Sequence, residues 1–218
     1  IEPFWVEFVY KKMPIKNLPE ELEGKTLIQI SDLHVGNRFD WKFLIDSFRK
    51  AQKLKPDFVV YTGDFVQYGN QSERKDLETV LQNAVLGKLG TVGILGNHDY
   101  GKNWSEPDVA DEIVKIAENS GIKMLLNEEF EVFGLNFIGF EDLWSNRFQP
   151  EKAMQYFSSE KANLVLCHNP DACDLDIWNG YQGWILSGHT HGGQCRIPGV
   201  VTPFLPVKNR KYISGKID

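Results

Sequence analysis

The chain has 218 residues, 42% of them hydrophobic, which is enough to bury the core of one domain over residues 1–218. Because 30 acidic residues outnumber 24 basic ones, the formal charge is −6, and extended nucleic-acid binding is not expected. Three cysteines without a Cys-x-x-Cys pair argue against a disulfide framework, and no apolar run approaches the ~20 residues that a membrane-spanning helix needs.

These features favour a reducing, cytoplasmic compartment. The chain begins at Ile1 rather than Met, so an upstream targeting or membrane segment stays open, and export or membrane association with it. The sequence leaves the oligomeric state open.

Short apolar segments of strand length recur along the chain and alternate with helical patterns. The side chains of residues 4–10 alternate with period two, which predicts an edge strand. Further strands are predicted at residues 27–30, 58–62, 92–95, 123–126, 129–133, 135–140, 164–167 and 184–186, with a tight turn at Gly134.

Three segments have helical periodicity instead. The first follows Asp40, a potential N-cap, and must end before Pro56. The second covers residues 72–89, and the third starts near Ser105-Glu106-Pro107-Asp108 and ends about Ser120. This alternation of strands and helices predicts an α/β layered fold with partly parallel sheets.

All five histidines lie in short polar segments that directly follow predicted strands. Together with Asp32, Asp64 and Asn97 they supply the imidazoles, carboxylates and amide that bind divalent metals. Ligand sites of open α/β sheets lie beyond the carboxyl ends of the strands, so these residues are expected to converge. The candidate ligands are Asp32, His34, Asp64, Asn97, His168, His189 and His191.

Spacing within two of the motifs supports this interpretation. Asp32 and His34 are two residues apart, so in extended backbone their side chains point the same way and can bind one ion. The same argument applies to His189 and His191. Each motif alone is weak evidence, since a single histidine is more often a hydrogen-bonded surface or core residue, but their recurrence beside glycines favours a metal site.

In order and kind, five blocks resemble those of the calcineurin-like metallophosphoesterases: Asp32-Leu33-His34, Gly63-Asp64, Gly96-Asn97-His98-Asp99, His168 and Gly188-His189-Thr190-His191. The resemblance implies a four-layer α/β/β/α sandwich with two mixed sheets and a two-metal site. Family members commonly continue with further strands, so the C-terminal strands are expected to be missing after Asp218.

The resemblance also implies roles. Asp32, His34 and His191 would bind one metal, Asn97, His168 and His189 the other, and Asp64 both. Manganese is expected, while iron, zinc, cobalt and magnesium stay open, because nitrogen and oxygen ligands suit all of them. A water shared by the two metals would be the nucleophile.

Two further residues are catalytic candidates. His98, adjacent to Asn97, resembles the histidine that supports the transition state or the leaving group. Asp99 either orients the His98 imidazole or acts as a turn or cap residue.

The substrate is less defined. The blocks resemble a bacterial branch with membrane-associated phosphodiesterases and UDP-2,3-diacylglucosamine pyrophosphatases, which implies a small-molecule or lipid-linked phosphate substrate and peripheral membrane contact. Trp104, Phe140, Trp144 and Phe148 either line an apolar wall beside the metals or pack in the core, the latter being favoured.

A metallonuclease and a non-catalytic interaction module are the alternative functions. A basic run, Lys208, Arg210 and Lys211, is either a solvated tail or a phosphate-contacting patch.

Overall fold

The computed structural model describes residues 6–36, 40–193 and 206–217, and its strands form two sheets. In the first sheet the strands are parallel and lie in chain order: β1 (Leu27–Ile30), β2 (Phe58–Thr62), β3 (Gly90–Ile94) and β4 (Lys123–Met124). The second contains β5 (Glu128–Val132), β6 (Leu135–Gly139), β7 (Ala162–Leu166) and β8 (Ile185–Leu186). Only the β5–β6 pair is antiparallel there, so the second sheet is mixed, as expected, whereas the first is parallel throughout.

Helices cover the outer face of the first sheet. They are α1 (Trp41–Gln52), α2 (Gln71–Leu81) and α3 (Pro107–Asn119). Phe48 of α1, Leu77 of α2 and Ile113 of α3 are buried in one apolar cluster with Val59 and Tyr61 of β2. Each helix therefore uses the apolar stripe of its 3.6-residue period to cover a sheet that is buried on both faces.

The two sheets pack face to face. A second cluster joins Phe58 and Val60 of β2 to Phe137 of β6 and Leu164 of β7, and the Phe58 and Phe137 rings lie 5.6 Å apart. On the outer face of the second sheet, a third cluster contains Val165 of β7 and Ala153 and Met154 of a short helix, α4 (Pro150–Met154). These clusters confirm the predicted α/β/β/α order of layers.

Local signals explain where two of the helices begin. The Asp40 side chain accepts a hydrogen bond from the Lys42 backbone amide, as predicted for an N-cap. Pro107 occupies the first turn of α3, where its missing N–H costs nothing.

Helix α2 ends at Leu81, eight residues before the predicted end. The Tyr61 hydroxyl, buried under the helices, accepts a hydrogen bond from the Val85 amide and donates one to the Val85 carbonyl. Because Val85 bonds to a side chain from a distant strand, its backbone groups are not free to extend the helix. Tertiary contact overrides the helical pattern of residues 82–89.

The N-terminal prediction is wrong where it can be checked. Residues 6–10 form no strand, and Val9 and Tyr10 are 69% and 79% exposed; residues 4 and 5 lie outside the described part of the chain. Period-two alternation shows that a segment could pair, but not that a sheet edge is available. Helix α4 was not predicted, since five residues carry too little periodicity.

Among the described residues, no helix combines the length and the apolar composition needed to cross a membrane. The hairpin of β5 and β6 turns at Phe133 and Gly134, which both have positive φ, as a tight two-residue turn requires. This turn lies at the amino end of β6. The candidate ligands follow the carboxyl ends of the parallel strands, on the opposite side of the sheets.

The Tyr61 hydroxyl provides a test of the packing argument. We expect Tyr61→Phe to lower the free energy of unfolding by about 1–3 kcal/mol, because it leaves the Val85 amide and carbonyl without that partner in a dry environment. Urea unfolding measures the change. Tyr68→Phe, at a 57% exposed position, is the matched control and should change stability by less than about 0.5 kcal/mol. Equal losses in the two variants would contradict the assignment.

Candidate metal centre

Each candidate ligand follows the carboxyl end of a strand, on the same side of the two sheets. Asp32 and His34 follow β1, Asp64 follows β2, Asn97 follows β3, His168 follows β7, and His189 and His191 follow β8. Six of them form two groups that share Asp64: Asp32, His34, Asp64 and His191 in one, and Asp64, His168 and His189 in the other. Two packed sheets therefore contribute to one site.

The first group is built around facing imidazoles. The Nε2 atoms of His34 and His191 lie 3.0 Å apart, and their rings are stacked with centroids separated by 4.8 Å. Asp32 Oδ1 lies 3.4 Å from His191 Nε2 and 3.9 Å from His34 Nε2.

One oxygen of Asp64 lies between the two groups. Its Oδ2 is 3.5 Å from His34 Nε2 and 3.2 Å from His168 Nε2, while its Oδ1 accepts a hydrogen bond from the His98 backbone amide. The Asp64 side chain is 1% exposed. A single buried oxygen is thus directed at imidazoles of both groups.

These separations suit cations. Donor atoms bound at about 2.1 Å to one cation lie about 3.0–3.5 Å apart at common coordination angles, which is close to the spacing of the Nε2 and carboxylate atoms here. His168 Nε2 and both side-chain polar atoms of Asn97 are buried without a hydrogen-bond partner among the described residues. Buried polar atoms normally have partners, so this donor set fits divalent metals.

The backbone at the ligands is not extended, contrary to the argument used for Asp32-x-His34. Positive φ angles occur at Asp32 (54°), His34 (43°), Asp64 (55°), His189 (71°) and His191 (50°). The side chains of Asp32 and His34 lie in one group although both residues are left-handed, a conformation that costs about 1–3 kcal/mol for a residue with a Cβ.

The two histidines of the last block do not share a group. His191 lies with Asp32 and His34, whereas His189 lies with Asp64 and His168. His189 and His191 therefore separate as the family resemblance implies and not as the spacing argument predicts, although both have left-handed backbone like Asp32 and His34.

Two glycines let the strand ends approach closely. A Cβ on Gly96 would lie 2.6 Å from the Asp64 amide nitrogen, and one on Gly188 would lie 2.5 Å from Asp32 Oδ2. A larger residue at either position would displace a candidate ligand.

Backbone carbonyls fix the orientation of three imidazoles. Nδ1 of His168 lies 2.6 Å from the Thr62 carbonyl oxygen, and Nδ1 of His98 lies 2.7 Å from that of Gln67. Nε2 of His189 lies 2.9 Å from the Pro206 carbonyl oxygen. A carbonyl can only accept, so each of these nitrogens donates, and the other ring nitrogen is left to bind a cation or to carry a second proton.

Burial and the carboxylates set the protonation of the site. Burial lowers the pKa of His34 and of His189 to about 4, so both imidazoles are neutral near pH 7. Burial also opposes protonation of His168, but the Asp64 carboxylate outweighs it and raises the pKa of His168 well above its ordinary value. Burial likewise opposes ionisation of Asp64, yet His168 and His34 hold the Asp64 pKa below its usual range. A proton and a cation compete for the same Nε2 of His168.

Asp99 has the geometry of a turn or cap residue, the second of its two predicted roles. Its Oδ1 accepts hydrogen bonds from the Phe65 and Val66 amides, and its Oδ2 accepts one from the Gly96 amide. Burial, followed by the Asp64 charge, raises the pKa of Asp99 to about 8. The His98 imidazole is held by Gln67 instead, so Asp99 ties the loops after β2 and β3 together.

Asp142 was missed by the sequence analysis. It is fully buried, its Oδ1 accepts a hydrogen bond from the Trp144 amide, and its Oδ2 has no hydrogen-bond partner among the described residues. Burial raises its pKa to about 6, while His168 acts in the opposite direction. The available signal was a carboxylate just after the predicted strand 135–140, in the same relation to a strand as Asp32 and Asp64.

The other candidates divide clearly. Phe140 is buried and its ring lies 6.0 Å from that of Phe148, so these two aromatics are packing residues. Trp104 and Trp144 remain 40% and 37% exposed beside the site.

The basic run lies in a segment that is tied down. The Lys208 amide donates to Asp171, and the Lys211 ammonium lies 3.6 Å from the Asp174 carboxylate. Arg210 also has interactions. This segment also supplies the Pro206 carbonyl to His189, so a freely solvated tail does not describe it.

The sequence is similar to those of known proteins. The sequence profile of the calcineurin-like phosphoesterases matches residues 25–193. Phosphodiesterase YaeI of Escherichia coli (strain K12) is 28% identical over 98% of this chain and 77% of its own length. UDP-2,3-diacylglucosamine pyrophosphatase LpxG of Chlamydia muridarum (strain MoPn / Nigg) is 25% identical over 81% of this chain and 66% of its own.

A third relative, the uncharacterized metallophosphoesterase YkuE of Bacillus subtilis (strain 168), is 24% identical over 99% of this chain and 75% of its own length. The matches thus span 66–77% of the length of these three relatives. The profile covers most of the chain and includes every candidate ligand. The chain therefore belongs to the calcineurin-like phosphoesterase family of metal-dependent hydrolases.

Proposed function

We propose that the chain is a dinuclear metal-dependent hydrolase of phosphodiester or pyrophosphate bonds. The observation that carries this proposal is the position of Asp64 Oδ2, 3.5 Å from His34 Nε2 and 3.2 Å from His168 Nε2. A carboxylate oxygen placed in this way would be a ligand shared by two cations, which would supply the charge needed for phosphoryl transfer to water.

We propose the division of the ligands that the family resemblance implies. Asp32, His34 and His191 would hold one metal, with Asp64 as the shared ligand. His168 and His189 would hold the other together with Asn97, whose buried side-chain oxygen lacks a hydrogen-bond partner among the described residues. We propose manganese as the metal because of the family resemblance. The donor set itself also suits iron, zinc, cobalt and magnesium.

When bound, two such cations acidify a water molecule and neutralise charge that builds on the phosphoryl oxygens. The protein contributes position and water exclusion. Carbonyl groups fix the orientation of the His168 and His189 imidazoles. Burial excludes water from the Asp64 carboxylate, so its charge is little screened.

His98 is proposed to act on the substrate. Its Nδ1 donates to the Gln67 carbonyl, and its ring lies edge-on to His34, with centroids 4.8 Å apart. The imidazole is therefore oriented at the edge of the first group without belonging to either group. From there it can stabilise charge on the phosphoryl group or supply a proton to the departing oxygen. Asp99 supports this role by fixing the loop that carries His98.

The substrate class follows from the relatives' names alone. A phosphodiesterase and a UDP-2,3-diacylglucosamine pyrophosphatase both cleave bonds at a substituted phosphate, so we propose such a substrate here, with UDP-2,3-diacylglucosamine the first to test. A nuclease on the same centre would need a basic groove. The formal charge of −6 does not favour one.

Asp64→Ala should abolish hydrolysis and reduce bound metal at both positions, because the shared ligand is lost. Metal content after gel filtration, measured by plasma mass spectrometry, provides the readout. Asp46→Ala on α1, where the carboxylate is exposed, is the matched control and should retain wild-type metal content. Retention of both metals by the Asp64 variant would show that Asp64 does not hold them.

His98→Ala should leave metal content near that of the wild type and lower kcat about 10²–10⁴-fold, because acid-base or charge assistance to the substrate is removed. Steady-state kinetics and metal analysis are needed on the same preparation. Metal loss equal to that in Asp64→Ala would instead make His98 a ligand or a structural residue.

A substrate panel on metal-analysed protein tests the reaction class. UDP-2,3-diacylglucosamine, a glycerophosphodiester, a cyclic nucleotide, a phosphomonoester and single-stranded DNA should be compared, with and without a chelator. We expect diesters or the pyrophosphate to be hydrolysed faster than the monoester, and the chelator to stop all turnover. Fastest turnover of DNA would favour the nuclease, and no turnover with any metal would overturn the proposed function.

A further inference from the structure

Two half-exposed tryptophans form a pair next to the metal centre. The rings of Trp104 and Trp144 lie 4.6 Å apart, tilted by 36°, and the two residues are 40% and 37% exposed. Trp144 also packs edge-to-face against His189, with ring centroids 4.7 Å apart. An indole pair thus borders a proposed ligand of the second metal, and the metal-binding role does not require it.

Specific features fix the backbone at both tryptophans. Trp104 has φ 57° and follows Asn103 with φ 58°, so a bulky residue adopts the left-handed conformation that it normally avoids. Trp144 donates its backbone amide to the buried carboxylate of Asp142. Strain of this kind, about 1–3 kcal/mol, persists where the surrounding structure enforces it and is concentrated at binding and active sites.

Exposed polar residues flank both tryptophans along the chain. Next to Trp104 along the chain, Lys102, Asn103 and Ser105 are exposed, and Asn146 is exposed close to Trp144. An alkyl chain would need a contiguous apolar surface, whereas a flat heteroaromatic ring needs an aromatic face with polar groups around its edge. The pair therefore suits a nucleobase better than a lipid tail.

We propose that Trp104 and Trp144 form a binding site for the base of a nucleotide whose phosphate is held at the metal centre. The proposal rests on the proposed function, because the metals would hold the phosphate while the indoles bind the ring. His189 connects the two parts of the site, since its imidazole contacts Trp144 and belongs to the group of Asp64 and His168. Stacking tolerates every base, so the site would select nucleotides over other phosphates rather than one base over another.

The test compares uridine 5′-monophosphate with ribose 5-phosphate, which lacks the base, by isothermal titration calorimetry on the metal-loaded protein. The nucleotide should bind about 5- to 150-fold more tightly, as expected for one stacked base. Trp144→Ala should reduce this ratio to within twofold, Trp104→Ala should reduce it in part, and Trp144→Phe should retain most of it. Adenosine 5′-monophosphate should behave like the uridine nucleotide.

Phe133→Ala is the matched control, because this 55% exposed aromatic lies in the β5–β6 turn at the opposite edge of the sheet. It should leave the ratio unchanged. Equal affinities for the two ligands in the wild type, or a ratio unaffected in both alanine variants, would overturn the proposal. So would a larger Trp144-dependent gain from octyl phosphate than from the nucleotide. Because the titration measures binding and not turnover, a failure to hydrolyse any substrate would refute the proposed function without altering this ratio.

Discussion

A carboxylate that is 1% exposed at the end of a central strand determines how this site is assembled. Burying the Asp64 charge is expensive unless positive or hydrogen-bonding groups surround it, and here they come from three other segments. The His98 amide donates to Oδ1, and the imidazoles of His34 and His168 face Oδ2. The packing of the two sheets is what brings these segments to the same atom.

The same constraint accounts for the backbone around the ligands. Asp32, His34 and Asp64 all have positive φ, and each such residue costs about 1–3 kcal/mol. The buried clusters on both sides of the strands offset this cost. So does Asp99, which accepts hydrogen bonds from three amides in the loops after β2 and β3. A rigid scaffold thereby holds the imidazoles and carboxylates of the candidate ligands close together. Bound cations would stabilise this arrangement.

Much of this could be predicted from the sequence, because strands and ligands leave local signals. Both β1 and β2 have the predicted bounds, and the ligands follow the strand ends as expected. Features that depend on distant partners could not be predicted: the early end of α2 depends on Tyr61, and the hydrogen bonds from the Phe65 and Val66 amides to Asp99 come from another loop. The left-handed backbone of His189 and His191 has no sequence signature apart from the neighbouring glycines.

We propose that Asp64 Oδ2 would be shared by two cations. Anomalous diffraction from crystals of the manganese-loaded protein, recorded near the manganese absorption edge, tests this proposal. We expect two peaks about 3.5–4 Å apart on either side of Asp64, one beside His34 and His191 and the other beside His168 and His189. A single peak, or two peaks of which only one contacts Asp64, would contradict it.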